Sequence, residues 1–225
     1  LTLKTISLMK KILLLIAMCA MCAMAQAQFS TYWHQRSSLY DTLTIHEDDI
    51  VFLGNSITDG CEWCELLGMP NVRNRGISGD YTLGILARMS QVTKGHPAKI
   101  FMLIGINDFS RNTPVDTIVG NIEKIVHRIK AESPKTRIYL QSILPVNDCY
   151  NMFQGHTAHY TEIPIANEKI RALAERENVT FIDLYSRFVI PATGKINPAL
   201  TNDGLHLLGV GYKLWGEIVR PYVLE

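Results

Sequence analysis

The chain of 225 residues has almost no excess of charge of either sign. Lys and Arg number 22 against 21 Asp and Glu, and the net charge is +1. A nearly neutral chain gives no electrostatic reason to bind nucleic acid or an anionic membrane, so we expect neither partner. Internal repeats and linkers rich in Pro, Gly or Ser are also missing. These absences argue against a solenoid or a string of small domains and favour one globular domain.

Long apolar runs are missing beyond the first 27 residues, so we expect no membrane-spanning helix in the folded part. Within residues 1–27, Met-Lys-Lys at 9–11 precedes an apolar run that ends at Ala-Gln-Ala, residues 25–27. Two positive charges, roughly 14 apolar residues and an Ala-x-Ala site are typical of a secretory signal peptide. We predict that residues 1–27 are this leader, with residues 1–8 upstream of its initiator, and that residues 28–225 are one domain. The mature protein would be exported to the periplasm or the extracellular space; a retained anchor is the alternative.

Cysteine is scarce, and only Cys61, Cys64 and Cys149 lie beyond the predicted leader. Residues 61–64 read Cys-Glu-Trp-Cys, a spacing found in redox pairs and in half of a zinc site. The sequence has no second C-x-x-C or suitably spaced histidine pair to complete a metal site, so we expect no metal. A local disulfide or two structural cysteines is the main interpretation. A thiol-redox or metal protein is the alternative.

Five short segments of strand length alternate with segments of helical length, and they span residues 50–53, 72–75, 99–104, 137–142 and 179–184. The first, Ile-Val-Phe-Leu, is continuously apolar and the third is the clearest, whereas the second, Val-Arg-Asn-Arg, is a weaker candidate. Continuously apolar runs of this length are typical of strands buried on both faces. Between them, apolar side chains recur at helical spacing from Ile118 to Ile129, from Ile163 to Ala174, and from Val210 to Ile218. The last helix is predicted to end at Pro221. This alternation predicts an α/β fold, with a parallel sheet and helices on both faces.

Polar residues suited to acyl transfer follow three of the predicted strands. Ligands of open parallel sheets bind beyond the carboxyl ends of the strands, so these positions are the candidates for a site. Ser56 follows the first strand in a tight turn, Gly76 and Gly79 follow the second, and Asn107 follows the third. Taken alone, each is more often an ordinary turn or capping residue.

A fourth motif, Asp-Gly-Leu-His at residues 203–206, precedes the last predicted helix. An Asp three residues before a His can accept the imidazole Nδ1–H and leave Nε2 free as a base. The turn serine, the glycine loop, the asparagine and this motif together supply a nucleophile, an oxyanion hole, a base and the group that orients it. The set predicts acyl transfer that needs no cofactor.

These four motifs resemble the sequence blocks of the SGNH hydrolase family, also called GDSL-like lipases and acylhydrolases, from about Ile50 to Trp215. The resemblance implies a three-layer α/β/α sandwich of flavodoxin-like type with a five-stranded parallel sheet. It also implies a serine esterase whose catalytic residues are Ser56, Asp203 and His206, and whose oxyanion hole is formed by Ser56, Gly79 and Asn107. Asn55 departs from the family pattern, because many members carry Asp beside the serine. Such a variant is implied to belong with the platelet-activating-factor-acetylhydrolase-like and carbohydrate O-acetylesterase branches.

The substrate pocket is less well defined by the sequence. The long irregular stretch after the fourth strand, residues 145–162, is rich in aromatic side chains that could form a wall. The candidate pocket residues are Trp63, Asp108, Arg111, Tyr150 and Phe153, with His156, His159 and Tyr160 on the same irregular stretch.

The predicted substrate is a small-molecule or carbohydrate ester with a short acyl chain, above all acetyl. The sequence has no amphipathic lid of the kind expected in an enzyme that works at a lipid interface, and the leader indicates export. A lysophospholipase or thioesterase that uses the same residues is one alternative. A carbohydrate-binding relative without catalytic activity is another, and no oligomeric state is predicted.

Overall fold

The computed structural model describes residues 29–225, so the predicted leader at residues 1–27 lies outside the described residues and stays a prediction. The first half of this range contains α1 (Thr31–Thr42), β1 (Ile50–Gly54), α2 (Ser56–Asp59), α3 (Trp63–Leu67), β2 (Val72–Gly76), α4 (Thr82–Ala87), α5 (Ser90–Thr93), β3 (Lys99–Leu103) and α6 (Ile106–Phe109). The second half contains α7 (Val115–Glu132), β4 (Arg137–Gln141), α8 (Gln154–Thr157), α9 (Ile163–Arg176), β5 (Thr180–Ile182), α10 (Tyr185–Phe188), β6 (Val189–Ile190), β7 (Lys195–Ile196) and α11 (Gly209–Leu224). Within residues 29–225, no helix is both long and apolar enough to span a bilayer.

Strands β1 to β5 form one parallel sheet in the order β2-β1-β3-β4-β5, which confirms the predicted α/β sandwich with five parallel strands. This order is the flavodoxin-like one, in which ligands bind where the chain changes direction between β1 and β3. The register aligns Gly54, the last residue of β1, with Gly76 of β2 and Leu103 of β3. The segments that follow these three strands therefore begin side by side at one edge of the sheet.

Aromatic rings run across the sheet and join it to the helices. The Phe101 ring stacks on Phe52 with centroids 5.0 Å apart and on Tyr139 with centroids 4.4 Å apart. Trp63 stacks on Phe52 at 4.0 Å, meets Trp215 of α11 edge-on, and is only 1% exposed. Because Trp63 belongs to this core, the prediction that it walls the substrate pocket is wrong.

The C-terminal helix runs further than the sequence predicts. Pro221 was expected to end it, but α11 continues to Leu224 and has Pro221 in its last turn. A proline removes one backbone hydrogen bond, and here other contacts hold the turn. The Lys99 ammonium donates to the carbonyls of Tyr222 and Val223 at 2.9 and 2.8 Å. Val210, predicted to lie on the apolar face, is 57% exposed.

Helix α1, which the apolar pattern did not predict, packs beside the loop that follows β2. The Trp33 indole N–H donates to the Asp80 carboxylate at 3.0 Å, and the Tyr40 hydroxyl donates to the Gly76 carbonyl at 2.7 Å. Its apolar contacts are confined to a small cluster that includes Ile77. The helix therefore supports the site through a few specific hydrogen bonds rather than through a broad apolar stripe.

Candidate active site

Ser56 lies on a tight turn between β1 and α2. A Cβ atom at Gly54 would lie 2.3 Å from Thr58 Oγ1 and 2.5 Å from the Leu103 carbonyl oxygen, so only glycine fits at the end of β1. Asn55 then caps α2, because its side-chain oxygen accepts the Ile57 N–H at 3.0 Å. A carboxylate could accept the same bond, so the departure from Asp at this position leaves the capping interaction intact.

The side chains of Ser56, His206 and Asp203 form a continuous chain of contacts. His206 Nε2 lies 3.0 Å from Ser56 Oγ, and His206 Nδ1 lies 2.7 Å from Asp203 Oδ2. The other carboxylate oxygen of Asp203 accepts the backbone N–H groups of Leu205 and His206 at 2.8 and 2.7 Å. This arrangement fixes the imidazole with Nδ1 toward the carboxylate and Nε2 toward the serine hydroxyl.

The Asp203 carboxyl is held in its charged form. Burial raises its pKa, but the hydrogen bonds from Leu205 and His206 outweigh burial, and the pKa lies below its ordinary value. A charged carboxylate beside Nδ1 stabilises the imidazolium that forms when Nε2 accepts a proton. The geometry can therefore support a histidine base next to a serine nucleophile.

The turn that carries Asp203 and His206 depends on the loop after β4. Gly204 has φ +83°, and a Cβ there would lie 1.9 Å from the Asn147 carbonyl oxygen, so only glycine allows this approach. The Asn147 N–H donates to the Gly204 carbonyl at 2.8 Å. The hydroxyl of the half-buried Tyr150 donates to the Thr201 carbonyl at 3.1 Å. Tyr150, a predicted pocket residue, thus stabilises the turn that carries Asp203 and His206.

Three potential hydrogen-bond donors follow β1, β2 and β3 at the same edge of the sheet. Gly79 is exposed, with φ +80°, in the loop that follows β2. Within residues 29–225, neither the Ser56 N–H nor the Gly79 N–H donates to another residue. The Asn107 side-chain amide donates one hydrogen to the Asp80 carbonyl at 2.8 Å, which leaves its second hydrogen available. Free N–H groups of this kind are what an oxyanion hole requires.

A buried ion pair fixes the loop between β2 and α4. Arg88 Nε donates to Asp80 Oδ2 at 2.7 Å, and both side chains are at most 1% exposed. Another Arg88 nitrogen donates to the carbonyls of Gly54 and Arg75, near the ends of β1 and β2, at 3.1 and 2.9 Å. Because this pair contacts both strand ends and the loop, it sets the distance between the serine turn and the Gly79 segment.

The remaining predicted pocket residues lie in different environments. Asp108 is 1% exposed and accepts hydrogen bonds from the Thr82 N–H and hydroxyl, so the prediction that it faces the substrate is wrong. Arg111 is exposed, with its guanidinium 4.1 Å from the Tyr81 ring centroid. The Phe153 ring is 38% exposed and meets the His206 ring edge-on, with centroids 5.1 Å apart. Of the three, Phe153 is the one in contact with the triad histidine.

The two cysteines of residues 61–64 are not joined in a disulfide. Cys61, Cys64 and Cys149 are free thiols, Cys61 buried and the other two exposed. Burial, with a smaller contribution from the Glu62 carboxylate, raises the pKa of Cys61 to about 12. A thiol with this pKa is a poor thiolate, and thiolates are the reactive form in redox pairs and the metal ligand in zinc sites. The raised pKa argues against Cys61 as a reactive thiolate.

A model of the GDSL-like lipase/acylhydrolase family matches residues 52–214. That range contains the serine turn, the three potential donors and the Asp-x-x-His motif. The chain belongs to this family. As a GDSL-like acylhydrolase it is a carboxylic ester hydrolase, and the resemblance seen in its sequence motifs is confirmed.

Named relatives and solved structures agree with this assignment. Human platelet-activating factor acetylhydrolase IB subunit alpha2 is 27% identical over 181 residues, 78% of this chain and 74% of that protein. A Streptococcus pneumonia structure named for platelet activating factor is 28% identical, with a TM-score of 0.79, and the match covers 91% of this acylhydrolase and 99% of that chain. For a GDSL-like lipase of Bacteroides thetaiotaomicron, the identity is 26%, the TM-score 0.74, and the coverage 85% and 97%.

Two contributors to the site were not predicted. The Asp80–Arg88 pair joins residues whose charges look like ordinary surface charges in the sequence, and Trp33 reaches Asp80 from 47 positions away. The glycine at position 84 was an available signal, since a Cβ there would lie 1.8 Å from Asp80 Oδ1. Gly84 indicates that a buried group lies close to the start of α4, but it does not identify that group as the Asp80 carboxylate.

Asp108 gives a prediction for the pH dependence of stability. Burial raises its folded-state pKa to about 6 from 3.8, so its stabilising contribution is present below pH 3.8 and lost as pH rises through 6. The whole shift corresponds to about 3 kcal/mol, of which about 2.4 kcal/mol falls between pH 4 and 7. We expect Asp108→Asn to remove that fall, measured as the difference in unfolding free energy between the two pH values. Asp41→Asn, which removes an exposed carboxylate, is the control; an unchanged difference in Asp108→Asn contradicts the assignment.

Proposed function

We propose that this enzyme hydrolyses short-chain esters, above all acetyl esters of carbohydrates, through an acyl-enzyme on Ser56. The observation that carries the proposal is the chain of contacts from Ser56 Oγ to His206 Nε2 at 3.0 Å and from His206 Nδ1 to Asp203 at 2.7 Å. A serine, a histidine and a carboxylate in this geometry are the groups that nucleophilic acyl transfer requires.

In the proposed first half-reaction, Ser56 Oγ attacks the ester carbonyl carbon while His206 Nε2 accepts the hydroxyl proton. The tetrahedral intermediate then collapses, the bond to the alcohol oxygen breaks, and the alcohol leaves with the proton from His206. In the second half-reaction a water molecule attacks the acyl-enzyme and gives its proton to Nε2. Collapse returns that proton to Ser56 Oγ and releases the carboxylic acid. Asp203 stays charged throughout and stabilises the imidazolium.

We assign the stabilisation of the negative charge on each tetrahedral intermediate to three hydrogen-bond donors. They are the backbone N–H groups of Ser56 and Gly79 and the free amide hydrogen of Asn107. Because the Asp80 carbonyl and the fold fix these groups before the substrate binds, little reorganisation is needed when the oxyanion forms.

Two features support an acetyl group and a sugar-like alcohol. The human relative is named as an acetylhydrolase, and the match covers most of both chains. In the proposed mechanism His206 gives its proton to the leaving alcohol, so the exposed Phe153 ring beside His206 lies on the leaving-group side. An exposed aromatic ring offers an apolar face for the ring of a sugar.

The first prediction of the proposed function concerns the nucleophile. Ser56→Ala removes the atom that attacks the carbonyl, and we expect kcat for p-nitrophenyl acetate to fall by about 10⁴-fold or more with the thermal midpoint unchanged. Ser186→Ala, an exposed serine after β5, serves as the control and should retain full activity. Retained turnover in Ser56→Ala would contradict the assignment of Ser56.

The second prediction concerns the acyl chain. We expect kcat/KM to fall steadily from p-nitrophenyl acetate to butyrate to octanoate, because the proposed substrate has a short acyl group. Steady-state kinetics of the chain from residue 28 onward provides the measurement. A maximum at octanoate would favour the lysophospholipase or thioesterase alternative and overturn the acetyl proposal, while leaving the triad in place.

The third prediction concerns the leaving-group side. Phe153→Ala removes the ring beside His206, and we expect kcat/KM for acetylated xylo-oligosaccharides to fall roughly tenfold through the loss of one apolar contact. With ethyl acetate, whose alcohol is too small to reach the Phe153 ring, kcat/KM should change little. Equal losses with both substrates would show that Phe153 acts on His206 instead of on the sugar.

A further inference from the structure

The oxyanion donor Asn107 has an amide whose orientation is fixed on both sides. Its Nδ2 donates to the Asp80 carbonyl at 2.8 Å, and a carbonyl can only accept, so the nitrogen must face Asp80. The Asn107 oxygen then faces the opposite way, toward His156 Nε2 at 2.8 Å. Rotating the amide by 180° would set two oxygens against each other at Asp80. The His156 nitrogen at this contact must therefore carry a hydrogen and donate it.

The loop after β4 places His156 beside the Asn107 side chain. It lies on the short helix α8 and is half-buried. Its backbone N–H donates to the Phe153 carbonyl at 2.8 Å, and the Phe153 ring meets both the His156 and His206 rings edge-on. Burial, together with the nearby His206 and His159 rings, lowers the pKa of His156. The ring is thus a neutral donor that adds no competing positive charge beside His206.

We propose that His156 is a positioning residue of the oxyanion hole. Its Nε2–H holds the Asn107 side-chain oxygen, so that one amide hydrogen points at the Asp80 carbonyl and the other points at the substrate oxygen. The inference rests on the proposed function of Asn107 as an oxyanion donor. His156 itself gives no proton to the substrate, because the hydrogen on Nε2 is committed to Asn107.

Without His156, the Asn107 amide would keep one anchor instead of two. Asn107 is 7% exposed, so little water can replace the missing donor, and the amide can turn about its remaining hydrogen bond. Misplaced donors lower the rate of the chemical step more than they affect substrate binding, since the oxyanion exists only in and near the transition state. A positioning role therefore predicts a change in kcat with little change in KM.

Four variants test this proposal with p-nitrophenyl acetate. His156→Leu removes the donor, and we expect kcat to fall roughly 10- to 100-fold with KM within about twofold. His156→Gln keeps an N–H donor near the same place and should recover most of the loss. Asn107→Ala should lower kcat by about 10²–10³-fold. In the double variant His156→Leu/Asn107→Ala, kcat should equal that of Asn107→Ala, because the amide that His156 positions is already absent.

The control is Gln154→Leu, a similar apolar substitution at an exposed position of the same helix, which should leave both kinetic constants unchanged. Thermal unfolding of each variant identifies any general loss of structure. Fully additive losses in the double variant, or a rise in KM with kcat unchanged, would overturn the role of His156 and leave the serine mechanism standing. Full activity in Asn107→Ala would instead overturn the oxyanion role on which the proposal rests.

Discussion

The buried ion pair of Asp80 and Arg88 is the interaction on which the arrangement of the site depends. Placing two charges in the interior costs solvation energy, and their mutual attraction and hydrogen bonds offset that cost. Here the Asp80 carboxylate accepts from Arg88, the Trp33 indole and the Tyr81 N–H, and its backbone carbonyl accepts from Asn107. Arg88 also donates to carbonyls at the ends of β1 and β2. The pair thus joins helix α1, the ends of two strands and the proposed oxyanion donor.

Much of the fold could be predicted because local patterns of the sequence indicate its strands and helices. All five strands lie at the predicted segments, although the second, Val-Arg-Asn-Arg-Gly, is not an apolar run. The helices at Val115–Glu132 and Ile163–Arg176 follow apolar stripes at helical spacing. Parallel strands bring their carboxyl ends to one edge, so the grouping of Ser56, the Gly79 loop and Asn107 followed from topology alone. Their proposed roles draw on the joint occurrence of four motifs, each of which is weak by itself.

The parts that could not be predicted depend on distant pairings. Trp63 and Asp108 follow the serine and the third strand closely, yet both side chains turn into the interior. Their partners lie elsewhere in the chain, since Trp63 packs against Trp215 and Asp108 accepts from Thr82. The link from His156 to Asn107 spans 49 positions and depends on how an irregular loop folds back over the site. No periodicity or turn signal encodes such a contact, since it arises only when the sheet and the loop are both in place.

The central claim is that His206 and Asp203 activate Ser56 as a nucleophile. Reaction of the folded protein with a fluorophosphonate, followed by digestion and mass spectrometry, tests this claim without assuming any natural substrate. We predict a single phosphonylated peptide with the adduct on Ser56, formed much more slowly when His206 is replaced by Ala. Labelling at another serine, or an equal rate of Ser56 labelling in His206→Ala, would contradict the account.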